Sequence, residues 1–564
     1  MASLQISVSD PLRIFYPVVI IGAGAAGIAA ACRLKSRYQF DQFRIFERHS
    51  GIGGTWWANR YPGVACDVPT LFYSFSFAPN YQSKTIFPTG ENYLDYLYAV
   101  VERADIAHKI QLNSEVVLVK WVDDDSEWEL EIKHTLSVGV KCHESPKKPC
   151  VVQDEIIRAK IVISAVGVLT EPNEQVEGRN AFLGQVIHSA RWPSQVDLAG
   201  QDVVVVGSGC SAAQIVPALL QTQIRSLTQI IRSAPWIVPR MEEPGGKELY
   251  AKWAPVVYRL PFLGYIVRIT ICCLSELLWF TVFQRRNATL RHQAEAFSLA
   301  HVARLAPQKY HRMLTPAYQL GCKRRVYDNE WLRSMHDPRL TLVHGTLHRV
   351  HGHEVTVLGS DPAAASAEAE GKTFNADTLI LTTGFKATEF LHSVTVIGRH
   401  GLSLQRLWTT RGGAHAYMGA ALDGFPNFFV VMGPNTFSGH TSVMMAIENS
   451  IEYILTLIQP VLAGDTDTLE AKPEAVQAWT RDIHRDMGAT VFEACASWYN
   501  NQGAYNSVLY PRSQLDFYLR CRFPRLSDWN QRLTARGQSR QHRRQIMHCL
   551  AVTVVAIGVL YAVL

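Results

Sequence analysis

The chain has 564 residues, 48% of them apolar, so it can bury a large core and divide into two or three domains. Its formal net charge is +6, and its basic residues form no aromatic-interleaved patch, which argues against a nucleic-acid partner. Neither an HExxH motif nor paired CxxC motifs occur, so we expect no metal site. Eleven cysteines without repeated spacing predict free thiols in a reducing compartment.

Residues 18–47 contain the first of two dinucleotide-binding motifs. A buried strand at 18–21 leads into Gly22, Gly24 and Gly27, an alanine-rich helix follows, and the next strand ends at Glu47. Glycines at these positions let the backbone approach a pyrophosphate at the N-terminus of a helix. An acidic residue at the end of the second strand hydrogen-bonds the free hydroxyls of a ribose. This motif therefore predicts an FAD site.

The second motif follows the strand at 203–206 and contains Gly207, Gly209 and Ala212, with a closing Arg232. Glu47 and Arg232 each lie 25 positions after the first glycine of their own motif. An arginine at the closing position suits a ribose that carries a 2′-phosphate, so the second motif predicts NADPH. Either motif alone also fits a tight turn that needs glycine for steric reasons. The matched spacing and the opposite charges favour two nucleotide sites.

Two strands that end in glycine turns, at 157–167 and 376–384, flank the second motif. We interpret them as the points where the chain leaves one domain and later returns to it. The predicted fold class is α/β, with two Rossmann-like dinucleotide-binding domains, the second inserted in the first. The predicted FAD-binding domain comprises 1–170 and 376–530, and the NADPH-binding domain comprises 171–375 with a helical insertion at about 241–330. Residues 361–371, rich in Ala, Ser and Glu, predict a surface loop.

Residues 256–283 are apolar but contain Arg259, Pro261, Arg268 and Glu276. Charges near the centre of a bilayer are costly, which favours a helical insertion packed over the active site rather than a membrane span. A helix that dips into the membrane surface is the alternative.

The C-terminal segment 546–564 contains no Lys, Arg, Asp or Glu. A helix of this length rises roughly 28 Å, close to the hydrocarbon core of about 30 Å. A buried terminal helix is the alternative, but the terminal position and the flanking Arg540, Arg543 and Arg544 favour a membrane anchor. We therefore predict a C-terminal transmembrane helix within 531–564, with the catalytic body on the cytoplasmic side, at the endoplasmic reticulum.

Two further motifs resemble those of a known family. Gly53, Gly54, Thr55, Trp56, the run 59–63, Cys66 and Asp67 are similar to the segment that follows the FAD motif in class B flavoprotein monooxygenases. Phe182, Gly184, His188, Trp192 and Pro193 resemble the fingerprint FxGxxxHxxxWP of type I Baeyer-Villiger monooxygenases, which are related to the flavin-containing monooxygenases. The resemblance covers roughly residues 18–455, including 424–427 and 433–435.

The resemblance implies a reaction and its catalytic residues. In this family NADPH reduces FAD, O2 adds to the reduced flavin, and the peroxyflavin attacks a ketone to give an ester or lactone. A fixed cation stabilises the peroxide anion, and arginine suits this task because it stays charged. The matching residue is Arg324 in the Lys323–Arg324 pair, with Asp67 as the carboxylate that orients it. Arg325 directly follows and is the alternative; a solvated surface pair is the non-functional interpretation.

The resemblance and the two motifs together give the predicted cofactor-binding residues. These are Gly22, Gly24, Gly27, Glu47, Gly54, Thr55, Trp56, Asp67, Tyr73, Gly207, Gly209, Ser211, Ala212, Arg232 and Asn435. We expect Ser208, Ser211 and Gln214 to bond the NADPH pyrophosphate or cap its helix. His188 and Trp192 are expected to pack in the hinge between the domains rather than to transfer protons.

These observations predict an FAD- and NADPH-dependent monooxygenase that uses O2 to convert a large apolar ketone to an ester. The pattern resembles fungal secondary-metabolite tailoring enzymes. The same flavin chemistry, if the peroxide is protonated, would hydroxylate, epoxidise or N/S-oxygenate the substrate instead. A membrane-tethered flavoprotein without turnover is a third possibility, against which Asp67 and Arg324 argue. The oligomeric state stays open.

Overall fold

The computed structural model describes residues 14–135, 151–359, 371–495, 497, 499–500 and 506–563. The surface loop predicted at 361–371 lies outside these residues, except for Gly371.

Within the described chain the strands are short and belong to two main sheets and three small ones. In chain order they are β1 Phe15–Ile21, β2 Phe43–Phe46, β3 Ile110–Gln111, β4 Ser114–Val122, β5 Glu127–Thr135, β6 Val151–Ser164, β7 Gln185–His188, β8 Asp202–Val206, β9 Ser226–Ile231, β10 Ile237–Val238, β11 Val326–Tyr327, β12 Leu340–His344, β13 Thr346–His351, β14 Glu354–Leu358, β15 Lys372–Asn375, β16 Thr378–Leu381, β17 Thr395–Ile397, β18 Phe428–Val430, β19 Thr466–Ala471 and β20 Trp529–Leu533.

The helices connect and cover these strands. In chain order they are α1 Ala25–Tyr38, α2 Thr55–Ala58, α3 Gly90–Arg103, α4 Cys210–Leu220, α5 Lys247–Val257, α6 Pro261–Leu278, α7 Ala288–Leu305, α8 Glu330–Ser334, α9 Leu404–Thr410, α10 Val443–Leu462, α11 Pro473–Met487, α12 Gln514–Arg522 and α13 Ala535–Val563.

The first domain is built on a sheet with the order β17-β4-β5-β6-β1-β2-β3, to which β18 adds beside β6. Its central strand β1 runs parallel to both β2 and β6. Helices α1, α3 and α10 cover one face with a core of alanine, aliphatic and aromatic side chains. The strand residues 18–21 are buried because both faces of the sheet are covered.

The second domain has a fully parallel sheet with the order β12-β9-β8-β16-β7. Helices α4, α7 and α8 cover one face, and the antiparallel strands β13, β14 and β15 cover the other. This arrangement confirms two Rossmann-like α/β domains, but it corrects the predicted boundary at 375/376. Strand β16 lies beside β8 inside the second sheet, and the chain returns to the first sheet only at β17. A buried strand with a glycine exit looks the same in the mixed first sheet and in the parallel second sheet, so only the strand pairing distinguishes them.

Helices α5, α6 and α7 lie in the predicted helical insertion, between β10 and β11. In the described residues the only helix long and apolar enough to cross a membrane is the 23-residue Pro261–Phe283. The structure therefore does not support the predicted C-terminal transmembrane helix. The backbone there forms the end of α13, while Leu564 and several of the preceding side chains lie outside the description.

A disulfide bond joins Cys322 to Cys495. The expectation of free thiols is wrong for this pair, although seven other described cysteines, such as Cys32 and Cys66, are free. The two bonded residues are 173 positions apart, so their pairing depends on how the domains pack and left no local spacing signal in the sequence.

Candidate functional site

The first dinucleotide motif folds into a turn in which glycine backbones lie against one another. Gly22 has a φ of +102°, and a Cβ there would lie 2.9 Å from the carbonyl oxygen of Ala165. A Cβ on Gly54 would lie 3.1 Å from the Cα of Gly24, so the GGTW segment contacts the N-terminus of α1 directly. Side chains at these positions would clash with neighbouring backbone, so the turn requires glycine, and it lines the cleft at the N-terminus of α1, where a pyrophosphate would bind.

Glu47 follows β2 and is buried beside this turn. Its Oε2 accepts a hydrogen bond from the backbone N–H of Ala23 at 2.7 Å, and its Oε1 accepts one from the N–H of His49 at 2.9 Å. Burial alone would raise the pKa of Glu47, but the hydrogen bonds from His49 and Ala23 outweigh it and lower the pKa. The carboxylate is therefore ionised and fixed at the cleft, as recognition of ribose hydroxyls requires.

The second motif has the same construction at the end of β8. Gly207 has a φ of +129°, and a Cβ there would lie 2.2 Å from the Oγ1 of Thr382. Gly209 directly precedes α4, and a Cβ added there would have no neighbouring atom within 4 Å. The exposed side chain of Arg232 lies just beyond β9 at the cleft. This second turn also fits a dinucleotide, with a cation where the ribose would lie.

Lys323 approaches Arg232 rather than Arg324. Its Nζ donates a hydrogen bond to the Oγ of Ser233 at 3.3 Å, and burial together with the nearby charge of Arg232 lowers its pKa. Across the described chain the structure shows no acidic partner for either Lys323 or Arg232. Lys323 and Arg232 both line the cleft, and two such cations complement a dianion such as a 2′-phosphate.

Arg324 forms an ion pair with Asp67. Its Nη2 donates to Oδ1 of Asp67 at 2.7 Å and to Oδ2 at 2.6 Å. The charge of Asp67 raises the pKa of Arg324 well above its ordinary value, so the guanidinium stays charged. Arg324 keeps 45% of its side chain exposed, and both residues line the cleft. The pair therefore presents a fixed cation to a ligand in the cleft.

The cleft has a volume of about 1480 Å³ and passes over both motifs. It collects most of the predicted site residues, namely Gly22, Gly24, Glu47, Gly54, Thr55, Trp56, Asp67, Tyr73, Gly207, Gly209, Ser211, Arg232 and Arg324. Gly27 and Ala212 lie behind it at helix contacts: a Cβ on Gly27 would lie 1.9 Å from the carbonyl oxygen of Gly22, and Ala212 is fully buried. Asn435 is also away from the cleft, and its Nδ2 donates to the carbonyls of Asn506 and Leu509.

Ser208, Ser211 and Gln214, which were expected at the NADPH pyrophosphate, all line the cleft, and two of them hydrogen-bond protein atoms. Gln214 neither caps α4 nor lies at its N-terminus; its amide joins Tyr61 and Ala65 of the first domain. Ser208 donates to the carbonyl of Ser233 at 2.9 Å. Hydrogen bonds to protein atoms satisfy both side chains at the edge of the cleft.

His188 lies buried at the end of β7, and burial lowers its pKa to about 4. Its Nδ1 accepts a hydrogen bond from the N–H of Ala190 at 3.1 Å. Trp192 packs against the core of the second domain. A buried histidine that bonds the backbone of Ala190 fits the predicted packing role.

Cys210 and Ser233 were not identified from the sequence. The Sγ of Cys210 lies 4.0 Å from Oδ2 of Asp67, and Ser233 bonds both Lys323 and Ser208. The only local signal for Cys210 was its position directly after Gly209. No feature of the sequence indicated Ser233.

Two family models match parts of the chain. The NAD(P)-binding Rossmann-like domain matches residues 20–87, and L-lysine 6-monooxygenase/L-ornithine 5-monooxygenase matches residues 71–254. Among curated proteins, the chain is 32% identical to a Baeyer-Villiger monooxygenase of Streptomyces coelicolor, covering 89% of each chain. It is 30% identical to the FAD-binding monooxygenase ktnD of Aspergillus niger, covering 86% of this chain and 76% of that protein.

Solved structures share the fold. A steroid monooxygenase bound to NADP superposes with a TM-score of 0.73 at 23% identity, covering 92% of this chain and 99% of that chain. Cyclohexanone monooxygenase from Rhodococcus sp. Phi1, bound to NADP+, gives the same TM-score and identity over 93% and 100% of the two chains.

Proposed function

Because the chain belongs to the Baeyer-Villiger monooxygenases, which use FAD and NADPH, we propose that it inserts one oxygen atom of O2 into an apolar ketone. The products would be an ester or lactone, NADP+ and water, with NADPH and a proton supplying the reducing equivalents. The observation that carries this proposal is the Asp67–Arg324 ion pair at the cleft between two dinucleotide motifs.

Each part of the cleft has a separate task in this reaction. The glycine turn at Gly22, Gly24 and Gly54 would hold the FAD pyrophosphate, and Glu47 its ribose. Bound FAD, once reduced by NADPH, supplies the activation of O2. Arg324 would stabilise negative charge that develops next to it, and Asp67 keeps the guanidinium in place.

The NADPH side would depend on Arg232 and Lys323. Their two cations lie at the ribose end of the second motif, so both would bind the 2′-phosphate. The Lys323–Arg324 pair therefore divides its work: the lysine binds the nicotinamide cofactor, and the arginine serves the oxygenation step.

The substrate class is suggested by the cleft wall on the side of the first domain. Apolar side chains line it, namely Val431, Met432, Phe437, Val443, Met444 and Ile447. This wall favours an apolar ketone over a charged one, because a buried charge without a partner is costly. The similarity to fungal FAD-binding monooxygenases such as ktnD supports a role in secondary-metabolite biosynthesis.

The test is the product formed from isotopically heavy O2. Purified protein, NADPH and a panel of polyketide and terpenoid ketones are expected to give a product one labelled oxygen heavier, which base cleaves to an alcohol and an acid. A labelled alcohol, epoxide or N-oxide that base does not cleave would replace this proposal by the second flavin chemistry. The lysine/ornithine monooxygenase match covers residues 71–254, which include the second nucleotide motif but not Arg324.

We also propose that residues 546–564 anchor the protein in a membrane, with the catalytic body on the cytoplasmic face of the endoplasmic reticulum. The support is the absence of charge in this segment and the basic residues Arg540, Arg543 and Arg544 before it. Alkaline extraction of membranes from the producing cell tests the anchor. Protein that remains in the pellet supports it, and release by carbonate contradicts it.

A further inference from the structure

Helix α6 exposes an apolar stripe to the outside of the protein. The stripe follows helical spacing and consists of Phe262, Tyr265, Ile266, Ile269, Leu274, Leu277 and Phe280, each of them 43–60% exposed, together with the exposed Cys273. Between Pro261 and Phe283, all of which the structure describes, no charged residue lies on this stripe. A surface helix in water normally turns its apolar side inward.

The two charges of α6 point toward the protein instead. Arg268 Nη1 donates to the carbonyls of Leu71 and Ser74, at 3.0 and 2.8 Å. Glu276 Oε1 lies 3.0 Å from Nε2 of His440 and accepts a hydrogen bond from the backbone N–H of Gln514 at 3.0 Å. These contacts hold α6 against the protein along its length, so it cannot cross a bilayer as a free helix.

The apolar surface continues onto α12. This helix begins at Gln514, beside Glu276, and exposes Leu515, Tyr518 and Leu519 at helical spacing. Phe523 and Leu526, which follow it, are also exposed. On the other side of α6, Val256, Val257 and Leu260 at the end of α5 are exposed as well. The exposed apolar residues named above, on α6 and directly after it, at the end of α5, and on α12 and directly after it, together form what we call the docking face.

Basic residues surround the docking face. Residues 247–290 contain six basic and two acidic residues, and one of the acids, Glu276, points inward. The exposed basic side chains near the face are Lys247, Lys252, Arg259, Arg285, Arg286, Arg522 and Arg525, and the exposed acid of residues 247–290 is Glu248. A symmetric dimer through this face would place like charges opposite one another, whereas anionic lipid headgroups complement them.

We propose that the docking face lies flat on a lipid bilayer, with α6 parallel to the membrane plane and its apolar stripe inserted among the lipid chains. The apolar stripe, the basic rim and the uncharged C-terminal segment 546–564 all suit the same partner. The bilayer also lies close to the cleft in this arrangement. The ring of His440 packs at a tilt against Trp279, the residue after α6, with ring centroids 5.4 Å apart, and its neighbours Ser438 and Thr441 line the cleft.

The experiment is flotation of the full-length protein with vesicles of phosphatidylcholine containing a minor fraction of phosphatidylserine. The C-terminal segment is first made polar by Val552→Glu, Val555→Glu and Val559→Glu, so that it no longer contributes. We expect the protein with these three substitutions to continue to float with the vesicles. Adding Ile266→Glu and Leu274→Glu should reduce binding by about tenfold or more for each position.

Leu183→Glu is the matched control, because Leu183 is an exposed apolar residue of the second domain, outside the docking face. It should leave flotation unchanged. FAD absorbance and the thermal midpoint of each variant report folding. A second measurement labels Cys273 with a fluorophore in a Cys272→Ser, Cys549→Ser background. Brominated lipids should quench this label, but not a label on Leu183→Cys in a background that also carries Cys273→Ser.

Flotation that does not change with Ile266→Glu and Leu274→Glu, or a Cys273 label that brominated lipids do not quench, would overturn the proposal. A vesicle-free dimer that the same two substitutions dissociate would also overturn it and assign the face to a second copy of the chain. Flotation is measured without turnover. A failure of the docking proposal is therefore seen separately from a failure of the proposed oxygenation.

Discussion

Replacing Arg324 by alanine is expected to uncouple NADPH oxidation from oxygenation. Both oxygens of Asp67 bind Nη2 of Arg324, at 2.7 and 2.6 Å, so the guanidinium is in position before substrate or O2 arrives. Removing one preorganised electrostatic partner typically slows the step it serves by about 100- to 1000-fold. Neither glycine turn involves Arg324, so binding of FAD and reduction by NADPH should persist.

Substitutions within the pair should grade this loss. Asp67→Asn keeps the cation but removes the charge that orients it, so we expect a loss of about tenfold, the size of one charge-assisted hydrogen bond. Arg324→Lys keeps the charge as a point rather than a planar fork, so it should fall between wild type and alanine.

The assay compares three rates in the same reaction: NADPH consumption, product formation and hydrogen peroxide release. In Arg324→Ala, peroxide should account for nearly all NADPH consumed. Arg406→Ala, an exposed arginine on α9, is the control and should stay coupled. A wild-type yield of product per NADPH in Arg324→Ala would refute the assignment. If Arg325→Ala then lost coupling, the role would move to Arg325, which stacks on Phe283 at 5.3 Å.

Three further predictions follow from the rest of the cleft. Arg232→Ala and Lys323→Ala should each weaken NADPH binding at least tenfold and leave NADH binding nearly unchanged, as measured by the KM for each cofactor. An equal rise in the KM for NADPH and for NADH would contradict binding of the 2′-phosphate by these residues. The Gly22→Ala variant should lose FAD on purification, whereas the Gly200→Ala variant should keep it. Both glycines have a positive φ, but only at Gly22 would a Cβ lie 2.9 Å from a carbonyl oxygen. Equal flavin content in the two variants would show that this close contact is unimportant. Burial lowers the pKa of His188 from 6.5 to about 4. As the pH falls, the histidine of the unfolded chain therefore takes up its proton before that of the folded chain does. The folded state loses stability between pH 6.5 and about 4 for this reason. The thermal midpoint of His188→Gln should therefore fall less over this range than that of wild type or of His400→Gln, an exposed histidine; parallel curves would contradict it.

Local patterns were enough to predict both nucleotide motifs. The glycines and the closing Glu47 and Arg232 lie within about 25 residues of chain, and strand, turn and helix are set by neighbours in the sequence. The structure places Glu47 and Arg232 at the cleft as expected. Asp67 and Arg324 are 257 residues apart, and only the family resemblance, not local spacing, indicated that they meet.

Features that depend on long-range packing were beyond the sequence. Strand β16 has the same apolar pattern in either sheet, so its place beside β8 could not be inferred. Gln214 follows a glycine motif and looked like a ligand residue, but the other domain occupies its amide. The apolar stripe on α6 was visible as composition, while its outward direction is set by the inward anchors Arg268 and Glu276.

Contacts between the two domains suggest how one cleft would couple reduction to oxygenation in the proposed reaction. Asp67 belongs to the first domain and Arg324 to the second, so the fixed cation exists only when the domains are in this relative position. The same junction contains a second set of contacts, in which Gln214 of α4 bonds Tyr61 and Ala65, and a Cβ on Gly63 would lie 2.6 Å from the Gln214 carbonyl. A rotation that moved the second domain would break both sets together. In the proposed reaction, the domain arrangement that brings the NADPH motif to the cleft would therefore also fix the cation of Arg324, and this would tie the two half-reactions to one conformational state.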